Sequence, residues 1–135
     1  MIAKIFGKSP TISKVSGANC IRIRLYQKYI SKKLNIPSGA RLKKRFVIPV
    51  WILKNRLFVI RYLRGLYEAE GSVGIHKPTS TYKLFFTNNN GSLRKIVFDQ
   101  LIRLGFYPHV SGSDVQLSRK AEVEQCIKLL RFRKY

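Results

Sequence analysis

The residue placed most suggestively for chemistry is Glu70. No acidic residue precedes Glu68, and Glu70 follows two positions later. It closes an apolar stretch (Leu57, Phe58, Val59, Ile60, Leu63, Leu66) whose spacing predicts a helix. A carboxylate at the C-terminal end of a helix opposes the dipole at a cost of about 0.3–1 kcal/mol. Something positive must offset it, and a hard divalent cation such as Mg2+ is the natural candidate. Glu68 points elsewhere on the same helix and reads as structural.

The helix that must carry Glu70 has further marks. Gly65 and Ala69 lie four apart and share one face, which lets a second helix approach almost backbone to backbone. Gly71 is the expected stop, since glycine takes the left-handed conformation after a last turn without strain. Asn55 is placed to cap the start.

Composition frames what this helix serves. The chain has 135 residues, 45% hydrophobic and 12% aromatic, enough for a packed core. Its 27 Lys and Arg against 6 Asp and Glu give a formal charge of +21. A compact domain so charged implies a polyanionic partner, and a wholly cationic first half favours nucleic acid over a merely solvated surface. Lys and Arg interrupt every apolar run, so no membrane span is expected. The N-terminus lacks the features of a secretory signal. Residence in the cytoplasm, associated with the nucleoid, or in an organelle is expected, not secretion. Cys20 and Cys126 stand far apart and read as buried free thiols; neither they nor His76 and His109 show zinc spacing.

Along the chain, residues 1–17 are strand-like in places and suggest a basic hairpin. Alternation over Cys20–Leu25 predicts a strand with Ile21, Ile23 and Leu25 inward and Arg22 and Arg24 together on the other face. Tyr26–Leu34 reads as a short helix, then a turn at Pro37–Gly39. Arg41, Lys43, Lys44 and Arg45 form the densest charge cluster, suited to salt-dependent phosphate contacts. Phe46–Leu53, interrupted by Pro49, is a packed connector. After Gly71 come a strand with Val73 and Ile75 inward, a turn at Pro78–Thr81, and a strand over Tyr82–Thr87 of ambiguous parity. Asn88–Gly91 breaks that strand. A helix over Leu93–Leu104, a hairpin over Phe106–Ser118 and a helix over Ala121–Leu130 complete the pattern. The fold class is α+β, with a β-β-α unit and basic connector over 1–54 and an α-β-β-α-β-β-α unit over 55–135.

Leu63 to Gly71, with its small residues and terminal acid, resembles the signature of LAGLIDADG homing endonucleases. Ile48, Pro49, Trp51 and Ile52 resemble the connector of the family's double-motif members. The resemblance implies an LAGLIDADG half-domain whose antiparallel saddle sheet lies in the DNA major groove, preceded by the remnant of a first half. It implies Mg2+-dependent phosphodiester hydrolysis with Glu70 as metal ligand and catalytic residue. Asn89 matches a polar, water-organising position. Arg22, Arg24, His76, Lys77, Tyr82 and Lys83 would read the groove, with Lys43 and Lys44 on phosphates. A basic residue near the metal could be Lys43, Lys44 or Lys134. Gly65 and Ala69 would pack two signature helices together, so a homodimer or a complementary half is expected.

Two other functions explain part of the sequence. A non-cleaving binder on the same fold, an intron RNA maturase or a DNA-binding regulator, keeps the basic sheet without needing Glu70. A basic ribosomal-type protein explains the charge but not the pattern of Gly65, Ala69 and Glu70.

Overall fold

In the computed structural model, residues 2–33, 39–40, 42–76 and 81–133 are described. The chain forms two compact units, residues 1–38 and 39–135. The basic connector therefore lies within the second unit.

In the first unit, α1 (Ile2–Phe6) occupies part of the segment expected to be strand-like. A hairpin of β1 (Thr11–Lys14) and β2 (Ile21–Arg24) follows, then α2 (Ile30–Lys33), which starts later than the helix read over 26–34. Antiparallel register pairs Thr11 with Arg24 and Ser13 with Arg22. Arg22 and Arg24 therefore share one ribbon face, as expected from a period of two. The inward placement of Ile21 and Ile23 is corrected: they are 61% and 50% exposed, and Ile12, the cross-strand partner of Ile23, is exposed too. Alternation fixes the side on which a residue projects, but only a second layer can bury that side, and a two-stranded ribbon supplies none.

The second unit begins with α3 (Val50–Leu53), which Pro49 starts, and continues into α4 (Arg56–Glu70). Asn55 caps α4 as expected, its side chain accepting from the Leu57 N–H at 2.8 Å. Then follow β3 (Gly71–His76), β4 (Thr81–Thr87), α5 (Gly91–Arg103), β5 (His109–Ser111), β6 (Asp114–Leu117) and α6 (Lys120–Leu130). From α4 onward the order is the α-β-β-α-β-β-α read from the pattern. The four strands form one antiparallel sheet in the order β3-β4-β6-β5, and the class is α+β.

Register resolves the parity of β4. Leu84 pairs with Leu117 and Phe86 with Val115, and all four are buried. They meet Val59, Leu63 and Tyr67 of α4, Val97 and Leu101 of α5, and Val123, Cys126 and Leu130 of α6 in one core. Each large aliphatic or aromatic side chain buried there contributes about 1.5–3 kcal/mol. Phe85, Lys83 and Gln116 take the opposite face. Val73 and Ile75 lie opposite Leu84 and Tyr82, hence on the helix side, yet they are 42% and 63% exposed. They sit on the edge strand, where the expected burial fails for lack of cover. No helix among the described residues is long and apolar enough to cross a membrane.

Candidate nucleic-acid interface

α4 runs directly into β3, which places Glu70 at the junction of helix and sheet. Gly71 is required there for a different reason from the one its position suggests. Its φ of −93° is extended, not left-handed. A Cβ on Gly71 would instead fall 2.5 Å from both the carbonyl oxygen and the ring Cδ1 of Tyr67. Tyr67 cannot retreat, because its ring packs edge-on to Phe86 at 5.7 Å in the core. Burial pushes its phenol pKa upward.

Glu70 is exposed, and its Oε2 accepts from Asn88 Nδ2 at 2.5 Å. Asn88 is itself fixed: its Oδ1 accepts from Asn90 N–H at 2.7 Å, and its carbonyl accepts from Arg94 Nη1 at 3.0 Å. Asn89, expected at a polar, water-organising position, is the next residue in the turn and is exposed. A side-chain amide, a partial positive charge, thus faces the carboxylate that opposes the α4 dipole.

The same turn holds the basic connector. Asn90 is only 5% exposed, and its Nδ2 donates to the carbonyls of Leu42 at 3.0 Å and Lys44 at 2.8 Å. Phe46 N–H donates to Ser92 Oγ at 2.8 Å. Asn90 Oδ1 meanwhile accepts from the N–H groups of Ser92 and Leu93, capping α5. Lys43, Lys44 and Arg45 are exposed on this pinned backbone. Asn88 and Asn90 therefore tie an acidic side chain and the backbone of three cations to one turn.

The other expected site residues are not brought together in this way. Arg22 and Arg24 belong to the first unit. Tyr82 and Lys83 were both expected among the groove-reading residues, but neighbouring strand residues project to opposite faces. Tyr82 lies on the helix side, whereas Lys83 Nζ donates to Gln116 Oε1 at 3.5 Å on the open side. His76 pairs with Thr81 through its backbone; its side chain, Lys77, Arg41 and Lys134 lie outside the described residues. Gly65 and Ala69 are exposed, and a Cβ at Gly65 would meet nothing within 4 Å. Cys20 is exposed rather than buried, while Cys126 is buried with its thiol pushed up to about 12.

Glu68 is structural, as its position suggested. It binds Arg133 through the backbone N–H at 2.9 Å and Nε at 2.8 Å, with Nη2 also in contact. The Arg133 side-chain and backbone hydrogen bonds hold its carboxyl well below the usual range, at about 2. A carboxyl lowered from 4.5 on folding stabilises the fold above that pH and loses this contribution as pH falls toward 2. Glu68→Gln is expected to lower Tm near neutral pH, with the gap from wild type closing as pH approaches about 2. Parallel melting curves at several pH values check this; a gap independent of pH would contradict the ion pair.

No family model matches the chain, and no solved structure matches it. Over 57 residues it is 39% identical to the tRNA-splicing ligase RtcB of Pyrococcus furiosus. That stretch is 42% of this chain but 6% of the ligase. The LAGLIDADG resemblance is overturned. The similarity that does emerge runs to a protein named for a different activity, and the features behind the resemblance have local causes. Gly71 answers to Tyr67, and Glu70 to Asn88. A small-residue face ending in an acid is a pattern that helix packing and turn chemistry produce without a family behind it.

The donor set for the expected Mg2+ can be weighed on the same geometry. Among the described residues, no group of three His, Cys, Asp or Glu side chains is placed to hold an ion. Glu70 offers one exposed carboxylate. That fits a hard cation shared between one protein oxygen donor, waters and a phosphate, not a cage built by protein alone.

Proposed function

We propose that this chain is a nucleic-acid-binding protein whose second unit grips a phosphodiester backbone at the Asn88–Asn90 turn. The observation that carries the reading is the joint tethering of Lys43–Arg45 and Glu70 to that turn. Cations on a fixed backbone lose less freedom on binding than cations on a free tail, so more of their attraction appears as affinity. The +21 charge supplies long-range steering and counterion release. The partner is double-stranded DNA or a structured RNA. Similarity to part of a protein named for tRNA splicing supports nucleic acid as the partner class; a 6% share supports no transfer of ligation.

Glu70 favours a second, finer reading, Mg2+-dependent phosphodiester hydrolysis of DNA. A carboxylate beside phosphate-binding cations repels the phosphate unless a divalent cation lies between them. When bound there, Mg2+ would supply Lewis-acid polarisation and an activated water. Glu70 would hold it, Asn88 would orient Glu70, and Lys43–Arg45 would hold the flanking phosphates.

The test is binding of labelled duplex DNA and hairpin RNA across a salt series, then plasmid nicking with and without Mg2+. The expected result is affinity whose logarithm falls linearly with log salt. Absent or salt-insensitive binding overturns the proposal. Mg2+-dependent nicking lost in Glu70→Gln establishes the finer reading, whereas binding with no nicking by wild type leaves a non-cleaving binder.

A further inference from the structure

The outer sides of α4 and α6 leave an open cleft of about 580 Å3 that involves no residue of the Asn88–Asn90 turn. Its size falls within the range of small-ligand sites, roughly 300–1,000 Å3. Leu57, Ile60 and Leu129 give it an aliphatic floor. Arg61, Arg64, Lys128 and Arg131 ring that floor; no carboxylate is among the described residues lining it, and Glu68, which acts on Arg64 electrostatically, is engaged by Arg133.

Two details separate this cleft from a merely basic surface. Arg64 Nε is buried and has no hydrogen-bond partner, although buried N–H groups are nearly always paired. Arg131 ends α6 in the left-handed conformation, φ 50° and ψ 61°. Glycine is the residue that takes this position without strain. An arginine stands there instead, and it lines the cleft.

We propose that the cleft binds a nucleoside phosphate, with the phosphate on the arginine forks and the nucleoside body on the aliphatic floor. Guanidinium forks match phosphate oxygens in pairs, and four cations exceed what a single carboxylate would neutralise. The ligand is either a free mononucleotide or the phosphorylated end of a strand; only the latter rests on the nucleic-acid reading above.

Calorimetric titration of the full chain with AMP and UMP, against adenosine and uridine, tests this at physiological salt. Saturable one-site binding that requires the phosphate is expected. Arg64→Gln should weaken it by about tenfold or more, as the loss of a charge-assisted pair does. Arg131→Gly should weaken it similarly while leaving Tm unchanged or higher, because glycine relieves the left-handed backbone. Neutralising Arg22 and Arg24 should change nothing. A short strand that displaces AMP only when 5′-phosphorylated identifies a strand end as the ligand; failure of either form to displace it identifies a free nucleotide. No saturable binding of AMP or UMP, wild-type affinity in Arg131→Gly, or equal losses in the Arg22 and Arg24 variant would overturn the proposal. Salt-dependent duplex binding without AMP binding would overturn the cleft alone, and AMP binding without duplex binding would overturn only the nucleic-acid reading.

Discussion

Asn90→Ala is expected to destabilise the second unit by about 3 kcal/mol and to weaken nucleic-acid binding as well. The stability effect has two sources. The Asn90 side chain caps α5 by accepting from Ser92 and Leu93 N–H groups, a role whose loss costs about 0.5–2 kcal/mol. It also donates to the Leu42 and Lys44 carbonyls, each hydrogen bond worth about 1 kcal/mol. Asn90→Asp divides the two roles. An aspartate keeps the acceptor that caps the helix but sets an anionic oxygen against the two carbonyls. It should therefore preserve α5 while releasing residues 42–46, with a smaller stability loss and a comparable loss of binding. Denaturant unfolding beside a binding titration measures both. A change below about 0.5 kcal/mol in Asn90→Ala would mean that the turn does not organise the unit.

Asn90 also shows where sequence reasoning stops. Asn88, Asn89 and Asn90 were legible as a break in the chain, and the amphipathic helix after them was legible from its stripe. Three identical side chains carry no signal about which one caps, which one reaches back to Glu70 and which one faces solvent. Those roles follow from backbone direction through the turn, so nothing in the sequence singled out Asn88 as the partner of Glu70. The order of elements from α4 to α6 was readable because apolar periodicity reports local structure directly. The parity of β4 was not, because Leu84, Phe85 and Phe86 are all apolar and only pairing with β6 selects a face. Gly71 was read as a helix stop on conformational grounds, whereas the constraint is that the Tyr67 side chain and carbonyl fill the space a β-carbon would need. Ile21 and Ile23 show a related gap: alternation is a statement about one strand, and burial depends on what lies above it.

Replacing Lys43, Lys44 and Arg45 together with glutamine is expected to lower nucleic-acid affinity on the order of 100-fold at about 0.1 M salt, with almost no effect on stability. All three side chains are exposed, and the hydrogen bonds that hold this segment use its backbone, so the fold loses no contact that it needs. Each phosphate contact removed should make the slope of log affinity against log salt shallower by about 0.9, close to ~3 for the set. The comparison that gives the result meaning is a second triple variant, Lys54, Lys95 and Lys120 to glutamine. It removes the same formal charge from exposed positions on separate elements. Long-range attraction depends on total charge and should fall equally in both variants. Phosphate contact depends on placement and should fall only in the first. If the scattered variant loses as much affinity and as much salt slope, binding follows net charge alone, and the Asn88–Asn90 turn is not the interface.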